Sequence, residues 1–418
     1  MAPLAACRGR RSGSRSGSPV RRRDRSGRRL TGQPPPRGFP EAEYLRRTEA
    51  AQEMMVDSGI GCLLVCTEPE VRYFTGFHTP FWQSPTRSWF VIVPTTGRPI
   101  AVIPAIGADS MSATWVDSIL TWPAPQPDDD GISLLASALG DVVGPSGTVG
   151  IPMGHETHLR MPLNDYAALR ARLGGVDFVD ATQIVRSLRM VKSEAEIAKV
   201  AHICSIVSDS FAALPALVHV GMSEREAFRA FKVDLLQRGA DDVPYLVGAT
   251  GPGFADVIKQ PGGRLIEHGD LLMFDTGSMF DGYSSDFDRY YAFGEADPGA
   301  EKAYRTVWEA TEAGLEAMRP GATTSDAWTA MADVLTAGGS LGNSVGRLGH
   351  GLGMQVTEWP SNTADDGTEI VEGMVLTLEP GLTWEPGKLM LHEENVVIRS
   401  NGPELLSQRA QPILPVLT

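Results

Sequence analysis

Five places in this chain put a metal-capable side chain at the end of an apolar run or in a tight turn. They are Asp275 in LLMFDTG, Asp286 in GYSSDFDR, His350 in GHGLGM, Glu379 in LTLEPG, and the adjacent Glu393 and Glu394 in LHEENVVI. A buried carboxylate is costly unless it is paired or holds a metal. Four carboxylates and one imidazole form a hard, oxygen-rich set that suits Mn²⁺, Fe²⁺, Co²⁺ or Zn²⁺, and a further carboxylate could bridge two ions. Two such ions, about 3.5–4 Å apart, acidify a water and clamp both oxygens of a reacting centre. Each residue also has an ordinary reading. Asp286 could pair with Arg289, Glu379 could be a turn acid before Pro-Gly, and His350 could be a satisfied loop histidine. The joint reading is favoured because apolar strands carry these acids where water is scarce, and clustered acids of that kind mark functional sites. Asp281 is expected to make a hairpin turn with Gly282. Asp288 is expected on the outer face or paired with an arginine.

The elements that must position these residues follow from periodicity and punctuation. From about residue 41, EYLRRTEAAQEMMVDSG reads as a helix ended by Gly59. GCLLVC is a buried strand, and VRYFTGF, SWFVIVP and PIAVIPAI read as further strands between Gly, Pro and Thr turns. GISLLASAL and LNDYAALRARL read as helices, with TVGIPM and VDFVDAT as strand-like pieces. Strands alternating with helices imply an α/β domain over residues 40–185. A capping box, Ser193 with Glu196, then opens a helix, and a second, Ser223 with Glu226, opens another. These begin a second domain, 186–418, whose strands include LLMFDT, YYAFG, VLTLEPG and LHEENVVI. Its hairpin character makes it α+β.

Composition sets the limits. The 418 residues are 42% hydrophobic and 7% aromatic, as in a globular protein. No run of 18 or more apolar residues occurs, so no membrane-spanning helix is expected. Residues 1–39 hold 11 Arg, no Lys and one Asp, which leaves 26 basic and 50 acidic residues in the remainder, a net of −24. A body this acidic argues against nucleic acid or an anionic membrane as its main partner. The segment 1–39 is too rich in Arg, Ser, Gly and Pro to bury a core and is expected to be disordered. A solvated or start-site extension, an organelle address and a basic interaction tail are its three readings. Cys62 and Cys66 lack a second pair at zinc-site spacing and read as buried thiols. With no disulfide framework, a reducing, cytoplasmic compartment is expected.

The second domain resembles the creatinase/aminopeptidase P family, the pita-bread metalloenzymes related to methionine aminopeptidase. The resemblance rests on D-x-G…GY-x-x-D-x-x-R (Asp275 to Arg289), GHGLG, GMVLTLEPG and EENVVI. The segment SLRMVKSEAEIAKVAHIC is similar to the one joining that family's two domains, and YFTGF (73–77) to part of its amino-terminal domain. The resemblance implies an α+β pita-bread catalytic domain preceded by a smaller α/β domain. It implies a dinuclear hydrolase in which metal-activated water attacks a small amide or Xaa-Pro dipeptide. Asp275, Asp286, His350, Glu379 and one Glu of HEEN would hold the ions, Mn²⁺ first among Co²⁺, Zn²⁺ and Fe²⁺. Glu394 is preferred for that last place. Glu393 remains open, because strand alternation lets only one of the two face the site. Glu379 would serve as general base.

Two histidines that hold substrate in the family's peptidases have no counterpart here. Ile258 and Thr357 stand near their places. An acid–base role therefore falls to Glu358, next to Thr357, although an ion-paired Glu358 is an equal reading. HTPFWQSPTRSWF (78–90) offers Arg87 for a substrate carboxylate and Trp82 for stacking. Ordinary hairpin packing is their alternative. Arg347 is a second carboxylate-binding candidate. A homodimer is expected, as in the family. The missing histidines keep a second reading in view, a creatinase-like C–N hydrolase or a lyase on a small zwitterion such as dimethylsulfoniopropionate. An inactive binding module is a third.

Overall fold

The computed structural model describes residues 33–342 and 346–417. The tail expected to be disordered lies, over residues 1–32, outside the described residues.

The amino-terminal half is built on a six-stranded mixed sheet. In spatial order its strands are Ser118–Trp122, Ile100–Pro104, Phe90–Pro94, Cys62–Val65, Thr148–Ile151 and Asp177–Asp180. The central three are antiparallel neighbours, and both flanks add parallel strands. Cys62–Val65 is buried along its whole length, as its unbroken apolar sequence requires. Burial pushes the Cys62 and Cys66 thiols up to about 12. One strand expectation is overturned. VRYFT lies in a helix, Glu68–Thr75, although its residues are β-branched and aromatic. Pro69 sits in the first turn, where no N–H is needed, and Gly76 closes the helix at φ 76°. Val71 and Phe74, three apart, face the core. This punctuation outweighs the propensity of the side chains.

The joining segment is two helices, Thr182–Met190 and Glu194–Ala213, with Val191, Lys192 and Ser193 between. Both expected capping boxes form, at Ser193/Glu196 and Ser223/Glu226. The run Glu194–Ala216 is long and apolar enough to cross a membrane by length and composition. Its Val200, Ile203, Cys204 and Val207 are fully buried among Phe231, Leu272 and Phe274, so its apolar face is core.

The second half carries two five-stranded sheets. One runs Val416–Leu417, Phe287–Phe293, Leu271–Phe280 and Asp242–Gly251, with Tyr283–Ser284 turning back on Leu271–Phe280. The other runs Glu358–Ser361, His350–Gly351, Val375–Leu378, Glu394–Arg399 and Gly402–Leu405. Asn395 ties the two sheets together: its amide oxygen accepts from the Asp286 N–H at 2.9 Å, and its NH₂ donates to the Asp286 carbonyl. The chain reversal at Asp281 (φ 46°) and Gly282 (φ 76°) is the expected Asp-Gly turn.

Residues 35–39 belong to the folded body, so the expected tail runs too far. Arg37 makes a bidentate pair with Asp241 at 2.7 and 2.5 Å. The buried Lys199 ammonium donates to the carbonyls of Pro36 (2.7 Å) and Gly38 (3.0 Å) and to Asp281 (2.6 Å). Phe39 packs edge-on against Tyr44 of the first half and Tyr283 of the second.

Candidate metal centre

The acidic residues converge where the two sheets of the second half meet. Asp275 projects from strand Leu271–Phe280, and Asp286 immediately precedes strand Phe287–Phe293. His350 opens a two-residue strand, Glu379 follows strand Val375–Leu378, and Glu393 precedes strand Glu394–Arg399. Ligand atoms of Asp286, His350 and Glu379 lie within 4.8 Å of one another, and so do those of Asp275, Asp286 and Glu393. Asp286 belongs to both groups, so two ions could sit side by side with its carboxylate between them.

Glu394 is not in this cluster. The structure turns it the other way, into a fully buried ion pair with Arg289 (3.0 Å) and a second contact to Arg409 (3.2 Å). The Ser407 hydroxyl and the Ala410 N–H also donate to it. Adjacent strand residues face opposite sides. Glu394 is spent on two arginines, so it is Glu393, and not the preferred Glu394, that stands with the clustered acids.

The His350 ring is oriented by its own backbone neighbourhood. Nδ1 donates to the Gly351 carbonyl at 2.8 Å, which aims Nε2 at Glu379 (2.9 Å) and Asp286 (3.2 Å). Such a bond fixes the tautomer that leaves Nε2 free for a metal. Thr377 donates to Glu379 Oε1 at 2.6 Å.

The electrostatics fit bound cations. Burial, then the charges of Asp286 and Asp288, pushes the Asp275 carboxyl well above its usual range. Burial, then Asp275, does the same to Glu393. Burial opposes charge on His350, but Glu379 and Asp286 overcome it and raise the ring well above 6.5. Burial disfavours the Glu379 anion, yet the His350 charge brings its carboxyl below the ordinary value. Glu393 Oε2 is buried with no hydrogen-bond partner. An orphaned carboxylate oxygen among mutually repelling acids is what a divalent ion would satisfy, so the donor set fits a metal pair.

Glu358 has the ion-paired role, not the acid–base one. It is buried between Arg189 (2.5 Å) and Lys192 (3.0 Å). Burial opposes its ionisation, but those two cations bring its carboxyl down to about 2. A group held that strongly ionised does not exchange protons near neutrality. Among the described residues, Arg87 and Trp82 make their contacts within the amino-terminal half. The Arg87 guanidinium sits over Phe81 (5.4 Å), while Trp82 lies against Trp89 and under Arg160. Ile258 is 76% exposed, and Thr357 is half-buried beside Glu358. Asp288 is not on an outer face. It is fully buried in register with Asp275, and its Oδ1 accepts the Glu393 N–H at 2.8 Å.

Tyr245 is the site residue that sequence reasoning missed. Its hydroxyl donates to Asp275 at 3.2 Å and also bonds Asp286. Burial, then the Asp275 and Asp286 charges, suppresses its ionisation, so it remains a donor. In register it opposes Gly277, and a Cβ there would collide with the Tyr245 ring. The glycine two residues after Asp275 was the available signal.

The sequence models for two families match in succession, the Creatinase/Prolidase N-terminal domain over residues 47–191 and Metallopeptidase family M24 over 198–400. The "Probable dipeptidase PepE" of Mycobacterium tuberculosis is 28% identical over 374 residues, 87% of this chain and 93% of that protein. The "Xaa-Pro dipeptidase" of Pyrococcus furiosus is 29% identical over 248 residues, 57% of this chain and 69% of that protein. Among solved structures, dipeptidase PepE from Mycobacterium ulcerans superposes with a TM-score of 0.80 at 28% identity, covering 91% of this chain and 99% of that one. A prolidase from Thermococcus sibiricus shares the fold, with a TM-score of 0.81 at 23% identity over 90% of this chain and 99% of that one. With its creatinase-type first domain, pita-bread second domain and acidic centre, the chain belongs to the creatinase/aminopeptidase P family of metal-dependent hydrolases.

Proposed function

We propose that this protein is a dinuclear metal-dependent dipeptidase that hydrolyses Xaa-Pro or similar dipeptides. The observation that carries this reading is the pair of ligand groups sharing Asp286. Asp275, Asp286, His350, Glu379 and Glu393 would hold the ions, which supply an acidified water and polarise the scissile carbonyl. Glu379 is the residue placed to take a proton. Thr377 and His350 fix its Oε1, leaving the second oxygen of a carboxylate that stays ionised. Tyr245 holds Asp275 and Asp286 in place as a neutral donor. The oxygen-rich donor set makes Mn²⁺ the first candidate. A homodimer and a reducing, cytoplasmic compartment are part of the same proposal, and the three buried free cysteines among the described residues favour the reducing compartment. The named dipeptidases among the relatives favour peptide hydrolysis over creatinase-like or lyase chemistry.

The test is proline release from a panel of Xaa-Pro dipeptides by the full chain loaded with Mn²⁺ or Co²⁺. Release that disappears in Asp286→Asn is expected. A fully metallated protein that releases no proline from any of them would overturn the reading.

A further inference from the structure

One buried acid beside the centre belongs to neither ligand group. Asp288 lies in strand Phe287–Phe293, two residues on from Asp286 and directly across the ladder from Asp275. Side chains so placed share one face of the sheet. The Asp288 side chain is fully buried. Its Oδ1 accepts the Glu393 N–H at 2.8 Å, and among the described residues its Oδ2 has no hydrogen-bond partner. No arginine or lysine among the described residues pairs with this carboxylate. Arg289, next in sequence, turns its guanidinium to Glu394 at 3.0 Å and to the carbonyls of Asp288 (2.6 Å) and Glu393 (2.9 Å). His392 stands 3.8 Å away, and burial, then Arg289 and Arg409, keeps its ring uncharged.

Like charges directly opposite on neighbouring strands repel, and a buried carboxylate without a partner is costly. The repulsion falls on one side of the centre. After burial, the charges of Asp286 and then Asp288 push the Asp275 carboxyl up, and those of Asp275 and then Asp288 push up Glu393. On the other side, burial opposes charge on His350, and the acids that overcome it are Glu379 and Asp286. The neighbours of Asp288 are thus Glu393, through its N–H, and Asp275, across the ladder, and both belong to the same ligand group. We propose that Asp288 is a positioning residue for the ion held by Asp275, Asp286 and Glu393: it fixes the Glu393 backbone and places a fourth negative charge behind three carboxylates, so that this ion is held more tightly. A cation there relieves a repulsion that the metal-free fold must bear. This rests on the two-ion reading and deepens it, because the two places become unequal through a residue outside both ligand groups.

The experiment titrates Mn²⁺ calorimetrically into the full chain as wild type, Asp288→Asn, Asp288→Glu, Asp275→Asn and the double variant Asp275→Asn/Asp288→Asn, each checked for folding by circular dichroism. The titrations are run at about pH 8, above the value of about 7 to which burial raises the Asp288 carboxyl. Asp288→Asn keeps an oxygen for the Glu393 N–H and removes the charge. It should weaken one of the two ions roughly tenfold to a hundredfold, the range for losing a group behind a ligand, and leave the other within about twofold. Asp288→Glu keeps the charge and should recover part of the loss. Asp275→Asn identifies the place: it should bind one ion, and adding Asp288→Asn should leave that ion's affinity within about twofold. Melting of the metal-free proteins separates this role from a merely structural one. Metal-free Asp288→Asn should melt no lower than wild type, since it loses an unpaired buried charge facing Asp275. Equal weakening of both ions, weakening of neither, a further loss in the double variant, or a metal-free Asp288→Asn that melts below wild type would each overturn this proposal while leaving the two-ion reading intact. A wild type that binds fewer than two ions would overturn that reading, and this proposal with it.

Discussion

At the scale of single residues, four of the five proposed ligands are aimed by a neighbour outside the set. The Gly351 carbonyl turns His350, Thr377 turns Glu379, and Tyr245 spans Asp275 and Asp286. Removing such a supporting partner characteristically costs 10- to 100-fold in metal affinity. Tyr245→Phe should therefore weaken Mn²⁺ binding by about that factor, measured by titration calorimetry, with little change in melting temperature of the metal-free protein. The choice between Glu393 and Glu394 shows what a sequence leaves open at this scale. Both acids sit in the same apolar run, and alternation says only that they face apart. What decides is that Arg289 and Arg409 wait on one side, and Arg409 lies beyond the motif, in a segment with no distinguishing pattern. Asp275, Asp286, His350 and Glu379 are legible because each is a polar, metal-capable residue in or beside an apolar run or a glycine turn. Tyr245 is not, because its role needs the strand register that sets it against Gly277.

At the scale of elements, the helix pair 182–213 is held to the catalytic half by buried charge. Arg189 contacts Glu70 at 2.9 Å and Glu358 at 2.5 Å, and Lys192 contacts Glu358 at 3.0 Å. Removing one member of a buried pair strands the others, at about 3–5 kcal/mol. Glu358→Gln should accordingly destabilise the protein by a few kcal/mol at pH 7, read from denaturant midpoints. The carboxyl of Glu358 is depressed from 4.5 to about 2. Its contribution is thus complete above about pH 4.5 and is lost as the pH falls through about 2. The gap between wild type and Glu358→Gln should close across that window, and a gap independent of pH would exclude the ion-pair account. The capping boxes at Ser193 and Ser223 are local and legible from four residues each. The partners of Glu358 lie 166 and 169 residues away, so its ion-paired state cannot be read from the segment TEWP. The helix Glu68–Thr75 was obscured for another reason: its aromatic and β-branched residues fit a strand, and only Pro69 and Gly76 mark it as helical.

At the scale of the whole molecule, the two halves are joined by more than the chain that links them. Arg47, fully buried in the first half, pairs with Glu196 of the second at 3.1 Å and bonds the Tyr283 hydroxyl at 3.3 Å. Residues 35–39 cover the same seam through Phe39 and Lys199. A chain beginning at residue 40 should melt at least about 1 °C below one beginning at residue 35, since losing two aromatic contacts and two ammonium bonds exceeds about 1 kcal/mol. Equal melting temperatures would show that the segment adds nothing. The family architecture is legible in the order of its motifs, whereas the docking of 35–39 is not, because its composition matches the tail before it. The central claim is that five side chains, Glu393 among them and Glu394 excluded, form a two-ion hydrolytic centre. It is tested most directly by counting Mn²⁺ bound per chain by calorimetry in wild type, Glu393→Gln and Glu394→Gln, with folding of each verified by circular dichroism. Two ions in wild type, two in folded Glu394→Gln and at most one in Glu393→Gln is the predicted result. Two ions retained by Glu393→Gln, or a single ion in wild type at saturation, would contradict it.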